Sequence, residues 1–231
     1  MIHPVELLRR GRAWCLDYLY VAHWQVHAFL FPAAHHHFLA GTKPGAAPVV
    51  LIPGVYETWQ FLRPIAERLH NSGHPVHVIE GLGHNQGTVP AMARVMARYL
   101  EENDLRGVVI VAHSKGGLIG KYVMSASDRA WRVSRMTAIN TPFSGSFFAR
   151  FAPLRSVRDF SPGDAELLKL ARNPKANHRI VSLYSVFDPH IPGGSYLEGA
   201  VNIELPTMGH FRPVGDPRLL ATVERWVAGT S

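Results

Sequence analysis

The sequence predicts an α/β fold, a mostly parallel sheet with helices on both faces. From Ala47 onward, short runs rich in β-branched residues alternate with helical stretches, the pattern of strands linked by crossover helices. Two of the runs, Val49–Ile52 and Val108–Val111, read VVLI and VVIV without a polar break, as strands buried on both faces must. The chain has 231 residues, 47% hydrophobic and 18% charged, enough apolar material for one large core. Strands are expected at Val49–Ile52, Val76–Ile79, Val108–Val111, Met136–Asn140, Ile180–Phe187 and Ala200–Leu205. Helices are expected at Gln60–His70, Val89–Leu100, Leu118–Ser125 and Arg218–Val227. Open parallel sheets gather their chemistry beyond the carboxyl ends of the strands, so residues just past a strand are the candidates to weigh.

Two segments stand apart from the main domain, residues 47–231. Residues 1–46 form an N-terminal apolar helix and linker. Within them Ala13 to Phe31 is apolar around nearly its whole circumference, and Leu16, Leu19, Tyr20, His23, Trp24 and His27 keep a helical period. A spanning helix needs about 20 apolar residues with few charges. Asp17, His23, Gln25 and His27 argue against one. Three readings stay open: a helix packed on the domain or a partner, an interfacial membrane helix making peripheral contact through residues 1–40, or a secretory signal. The signal would have its basic start at Arg9, Arg10 and Arg12 and its small residues at Ala33 and Ala34. Residues 143–178 carry Phe143, Phe147, Phe148, Phe151 and Phe160, with six basic side chains against three acidic. This is long for a plain connection, so it reads as a small lid or cap insertion, or as a surface excursion with no gating role.

Composition removes several classes. Seventeen prolines and twenty glycines follow no repeat, which excludes a collagen-like chain. The net charge of +7 arises from 24 Lys and Arg, 19 of them Arg, against 17 acidic residues. That balance permits attraction to anionic surfaces. The basic residues are scattered, with no zinc-finger spacing and no basic region leading into heptads, so no nucleic-acid partner is expected. The single Cys15 rules out a disulfide framework and a Cys-based zinc site. It suits a cytoplasmic location, with membrane association and secretion left open.

The sharpest signal runs from Gly107 to Gly117, GVVIVAHSKGG. An apolar strand leads into Ser114, flanked by Ala112 two residues before and Gly116 two after, and a helix follows at once. A strand-to-helix turn this tight strains the serine backbone and tolerates only small flanking residues. It lifts the hydroxyl out of the sheet and aims the first N–H groups of the helix at whatever the serine attacks.

Ala112-His113-Ser114-Lys115-Gly116-Gly117 resembles the G-H-S-x-G-G elbow of the α/β-hydrolase superfamily, particularly its small serine esterases and lipases. Ala stands in place of the first Gly. The resemblance covers residues 47–142 and 179–231. It implies a Ser, acid, His chain order, so the partners of Ser114 should follow it. Of the downstream histidines, His178 precedes a strand and His190 shares a loop with Asp188. His210 lies after the last strand, where the family places its base. Asp188 ends the Ile180–Phe187 run and is the candidate acid, although Asp-Pro alone would also initiate a turn. The resemblance also implies two oxyanion donors, the N–H of Lys115 and that of Val55 in the Pro53-Gly54-Val55 loop.

Tyr56, Trp59 and, from the insertion, Phe143 are the candidate substrate contacts, though Tyr56 and Trp59 could equally be core. The Lys115 side chain would favour an anionic substrate or pair with Glu57, and His84 would be structural or part of the rim. His35-His36-His37 suggests a metal, but adjacent residues seldom converge on an ion without other ligands, so no metal site is expected. His23 and His27 share a helix face without H-E-x-x-H, and Cys15 reads as an inert small hydrophobe. The expected activity is hydrolysis of a small-molecule or lipid carboxylic ester, requiring no metal or organic cofactor. Thioesterase, amidase or acyltransferase chemistry on the same residues, or a non-catalytic binding module, are the rival readings. Oligomeric state is not legible.

Overall fold

The computed structural model describes residues 4–31, 35–152 and 154–229. Six strands form one sheet: β1 (Val49–Ile52), β2 (Val76–Val78), β3 (Val108–His113), β4 (Val133–Ile139), β5 (Ile180–Phe187) and β6 (Val201–Met208), in the order β2-β1-β3-β4-β5-β6. Every pairing is parallel. Side chains alternate across the pleat and divide the core in two. Val50, Ile52, Val108, Ile110 and Ala112 face one cluster, shared with helices α3 (Val89–Glu102) and α4 (Lys115–Ala126). Val49, Leu51, Val109 and Val111 face the other, shared with α2 (Arg63–Asn71) and α7 (Pro217–Ala228). Both faces are thereby covered, as the unbroken apolar runs require.

The differences from the sequence reading have local causes. Strand β6 runs to Met208 rather than stopping at Leu205. Pro206 reads as a breaker, but β6 is an edge strand, where a missing N–H need not leave a ladder bond unmade. Helix α4 begins at Lys115, three residues early, because Gly116 and Gly117 belong inside it. A Cβ on Gly116 would stand 2.2 Å from the Ile52 carbonyl oxygen, and one on Gly117 would stand 2.0 Å from Thr141 Oγ1. The first turn of α4 thus lies directly on the ends of neighbouring strands. The Gln60–His70 stretch splits into a 3-10 turn over Trp59–Leu62 followed by α2.

The N-terminal helix α1 spans Pro4–Leu30, starting nine residues before the apolar run at Ala13. It packs on the domain. Ala13 and Asp17 are buried. The Tyr20 hydroxyl donates to the Phe61 carbonyl (3.1 Å) and the Gln25 amide to the Tyr56 carbonyl (2.9 Å). The opposite face, with Leu8, Leu19, Val26 and Phe29, is exposed, as are Cys15 and His23. No helix among the described residues is long and apolar enough to cross a membrane. Ala33 and Ala34, the small residues of the signal reading, lie outside the described residues.

The 143–178 segment folds as a 3-10 turn (Phe147–Phe151), two short helices, α5 (Arg155–Arg158) and α6 (Ala165–Ala171), and a 3-10 turn that starts at Asn177 and leads into β5. Leu167 and Leu170 of α6 join the core cluster on the α4 side.

Because the atom facing Gly116 is main chain, it cannot swing aside. Gly116→Ala is expected to destabilise the protein by about 1–3 kcal/mol, the range for overpacking a filled site, with a lower urea midpoint as the readout.

Candidate active site

Ser114 occupies the junction of β3 and α4 at φ 51°, ψ −122°. A non-glycine residue there is strained by about 1–3 kcal/mol. The Ser114 N–H is anchored on the Ile139 carbonyl at 2.8 Å. The result is a hydroxyl raised at the carboxyl edge of the sheet, where the segments after β5 and β6 meet it. Ser114 Oγ lies 2.9 Å from His210 Nε2, and His210 Nδ1 lies 2.7 Å from Asp188 Oδ2. The other Asp188 oxygen accepts the N–H groups of His190 (2.8 Å) and Ile191 (3.1 Å). All three side chains are buried. Burial alone would push the Asp188 carboxyl up. The charge and hydrogen bond of His210, with the His190 N–H, more than offset this and hold it below the ordinary carboxylate range. The Asp-Pro turn and the hydrogen-bonded carboxylate are therefore both present at one residue.

Nothing in the local sequence marks a second buried network. His113, the residue before the serine, has Nδ1 at 2.8 and 2.9 Å from the two Glu57 oxygens and Nε2 at 2.9 Å from the His210 carbonyl. Both nitrogens face acceptors, so both donate. Burial would lower the His113 pKa, but Glu57 and the carbonyl reverse this and raise it above 6.5. Glu57 Oε2 also accepts the Gly54 N–H at 2.7 Å. The loop after β1 and the loop after β6 are thus tied together through a buried ion pair.

The candidate contacts divide. Val55 and Tyr56 line a cavity of about 290 Å³ that opens on Ser114 and His210, and the Tyr56 hydroxyl bonds Ser156 Oγ at 2.7 Å. Lys115 is the first residue of α4, so its N–H has no intrahelical acceptor. Its side chain does not pair with Glu57. It is buried, with Nζ donating to the carbonyls of Asn85 (2.9 Å) and Gly87, and burial lowers its pKa to about 8. Trp59 does not face the cavity. It lines a separate cleft with His35, His36 and Glu80, because the turn after Glu57 carries it away. Phe143 is not a contact either: it is buried in the core cluster, anchoring the start of the insertion. The aromatic lining comes instead from Phe148, Phe160 and Phe211.

His190, beside Asp188 in sequence, also lines the cavity, and its Nε2 is buried without a partner among the described residues. Burial and the nearby His210 lower its pKa to about 4, so it is neutral near pH 7. The polyhistidine stretch is arranged differently from its sequence order. His35 and His36, not His37, approach Glu80, with donor atoms of the three within 4.8 Å of one another. His35 Nε2 lies 3.4 Å from Glu80 Oε1, which is mostly exposed.

No protein-family model matches the sequence, and no curated protein is significantly similar to it. Solved structures are similar in three dimensions. The mature lipase BlEst2 of Bacillus licheniformis aligns with a TM-score of 0.66 at 16% identity, over 78% of this chain and 92% of that one. The chain has the α/β-hydrolase fold. An extracellular α/β-hydrolase from a Paenibacillus species aligns at 0.56 with 19% identity, over 78% and 98% of the two chains. The mouse α/β-hydrolase domain-containing protein 10 aligns at 0.57 with 14% identity, over 83% and 92%. At these identities the likeness is one of architecture.

Folding raises the His113 pKa, so the stability contributed by the Glu57–His113 pair is complete below about pH 6.5 and declines as the pH climbs through the elevated folded value. Removing one partner of a buried pair costs about 3–5 kcal/mol. Glu57→Gln is expected to lower stability on that scale and to flatten this alkaline decline, both measurable from urea unfolding across a pH series.

Proposed function

We propose that the protein is a serine hydrolase of carboxylic esters. The observation that carries this reading is the unbroken hydrogen-bonded line from Ser114 Oγ through the His210 imidazole to Asp188. A serine hydroxyl is a weak nucleophile until a base at bonding distance takes its proton. His210 Nε2 is that base. Ser114 Oγ attacks the acyl carbon as its proton passes to Nε2, giving a tetrahedral intermediate whose oxyanion is held by the N–H groups of Val55 and Lys115. Asp188 fixes the imidazole tautomer and stabilises the imidazolium without taking the proton. Collapse of the intermediate returns the proton from Nε2 to the departing alkoxide oxygen. Water, deprotonated by the same nitrogen, then attacks the acyl-enzyme and releases the acid. Val157, Phe148 and Phe160 give the cavity an apolar wall, which favours an apolar acyl or aromatic group. That the Bacillus licheniformis structure is a lipase is consistent with this choice of substrate class.

Ser114→Ala and His210→Ala should each abolish fluorophosphonate labelling and lower kcat for p-nitrophenyl esters by about 10⁶-fold. Asp188→Asn should lower kcat by about 10⁴-fold. Retained turnover in a folded Ser114→Ala protein would defeat the mechanism. Faster release from thioester than from ester would move the substrate class to thioesters.

We further place the ester at an anionic lipid surface. Leu8, Leu19, Val26 and Phe29 of α1, and Phe147, Phe148 and Phe151 beside the cavity, are exposed. Phe148 lines both the catalytic cavity and the groove that holds Arg10 and Trp14, so the exposed apolar ground reaches the site itself. Arg9 and Arg12 of α1 and Arg150 of the insertion are exposed on the same two segments, and an apolar face accompanied by cations is what an anionic interface attracts. Vesicles containing anionic lipid should sediment with the protein. Leu19→Glu/Phe29→Glu should release it while turnover of a soluble p-nitrophenyl ester is unchanged. Unaltered sedimentation, or a dimer that those substitutions dissociate, would overturn this placement.

A further inference from the structure

Asp17 lies midway along α1, outside the sheet and its crossover helices, and is fully buried. Its Oδ2 accepts the His210 N–H at 2.9 Å, and its Oδ1 accepts the N–H groups of Phe211 and Arg212, both at 2.8 Å. Three consecutive backbone donors converge on one carboxylate, an arrangement that ordinarily makes an anion-binding concavity. Here the anion is supplied by the chain itself, from a residue 193 positions away in sequence. The preceding residue is shaped for the contact. Gly209 has φ +116°, and a Cβ there would stand 2.5 Å from Asp17 Oδ1.

A carboxylate withdrawn from water carries a large desolvation penalty that only strong compensation offsets. Packing a helix against a domain does not call for one, since an apolar side chain at the same position would bury comparable area without that penalty. What the carboxylate does that an apolar side chain cannot is fix the main chain of residues 210–212. The His210 carbonyl is already held by His113 Nε2 and by Asn140 Nδ2, each at 2.9 Å. With only that anchor the peptide could pivot about its oxygen, and the imidazole would swing with it. Asp17 closes the other side.

We propose that Asp17 is a positioning residue that sets the His210 imidazole at bonding distance from Ser114, so that α1 is a working part of the site. This rests on the triad reading given above. Asp17 touches no reacting atom and acts through the backbone of the base.

Asp17→Asn preserves volume but replaces one acceptor oxygen with an NH₂ that faces backbone donors. A misplacement of about 1 Å in a reacting group lowers rates by about 10²-fold. The expected result is a kcat for p-nitrophenyl esters reduced about 10- to 100-fold with KM unchanged. Fluorophosphonate should still label every site at long times, but more slowly by the same factor. A merely structural role would lower the melting temperature and the titratable fraction while leaving kcat per reactive site intact, and that outcome overturns the proposal. If the variant does not fold, hydrogen exchange in the unaltered protein decides. The amides of residues 210–212 should exchange as slowly as those of β6 although they lie outside the sheet, and exchange at exposed-loop rates overturns the proposal. An unaltered protein inert to fluorophosphonate defeats the hydrolase reading and this proposal with it. A reactive one whose Asp17→Asn variant turns over equally fast defeats this proposal alone.

Discussion

His210 uses every polar atom it has. Its N–H is accepted by Asp17 from α1, and its carbonyl receives His113 from the end of β3 and Asn140 from the end of β4. Its Nδ1 meets Asp188 at the end of β5 and its Nε2 meets Ser114 at the start of α4. Four segments distant in sequence, α1, the β3–α4 junction and the ends of β4 and β5, are thereby fastened to one residue. Buried polar groups are expensive unless satisfied, and here each satisfies another. The mutual dependence is the constraint around which the rest is arranged: displacing any one partner leaves a buried donor or acceptor unmatched and frees the imidazole to turn.

The parallel sheet makes this convergence possible. Every strand delivers its carboxyl end to the same edge, so turns after β1, β3, β4, β5 and β6 lie side by side although the chain separates them widely. The glycines of α4 let the helix lie on those ends at distances no side chain would allow, and the strained backbone of Ser114 is sustained by the packing on either side. The framework of the site is therefore closely packed, and its cover is more exposed. One wall of the cavity is the insertion, whose 3-10 turn over Phe147–Phe151 leaves three phenylalanines largely in solvent.

Much of this was legible in the residues. Alternation of short apolar runs with amphipathic stretches located all six strands, because each is a local property of the chain. The elbow at Ser114 was visible for the same reason: strand, serine and small flanking residues are contiguous. Asp188 and His210 were recognisable from their places after strands and from the resemblance the elbow carries. The rest of the site is non-local. In the sequence Asp17 is only a charge unsuited to a membrane span, and its partners are nearly two hundred residues away. The Glu57–His113 pair leaves no periodic trace, since neither residue has a pattern that announces the other. Aromatic residues near a site suggest substrate contacts, with core the alternative for Trp59, yet neither Trp59 nor Phe143 lines the cavity. Which way each side chain turns is set by a single bend in the backbone, and composition does not encode that bend.

The sheet's margins have a consequence for how the protein behaves at high concentration. An open row of backbone donors and acceptors invites pairing with a foreign strand, and long flat margins are the usual starting point for aggregation. Here β2 offers only three residues, and β6 carries exposed Pro206, which has no N–H to give, two residues after the exposed charge of Glu204. Neither border provides a continuous template. A chain with this much uncovered apolar surface elsewhere is thereby shielded from the most direct route to fibrous association.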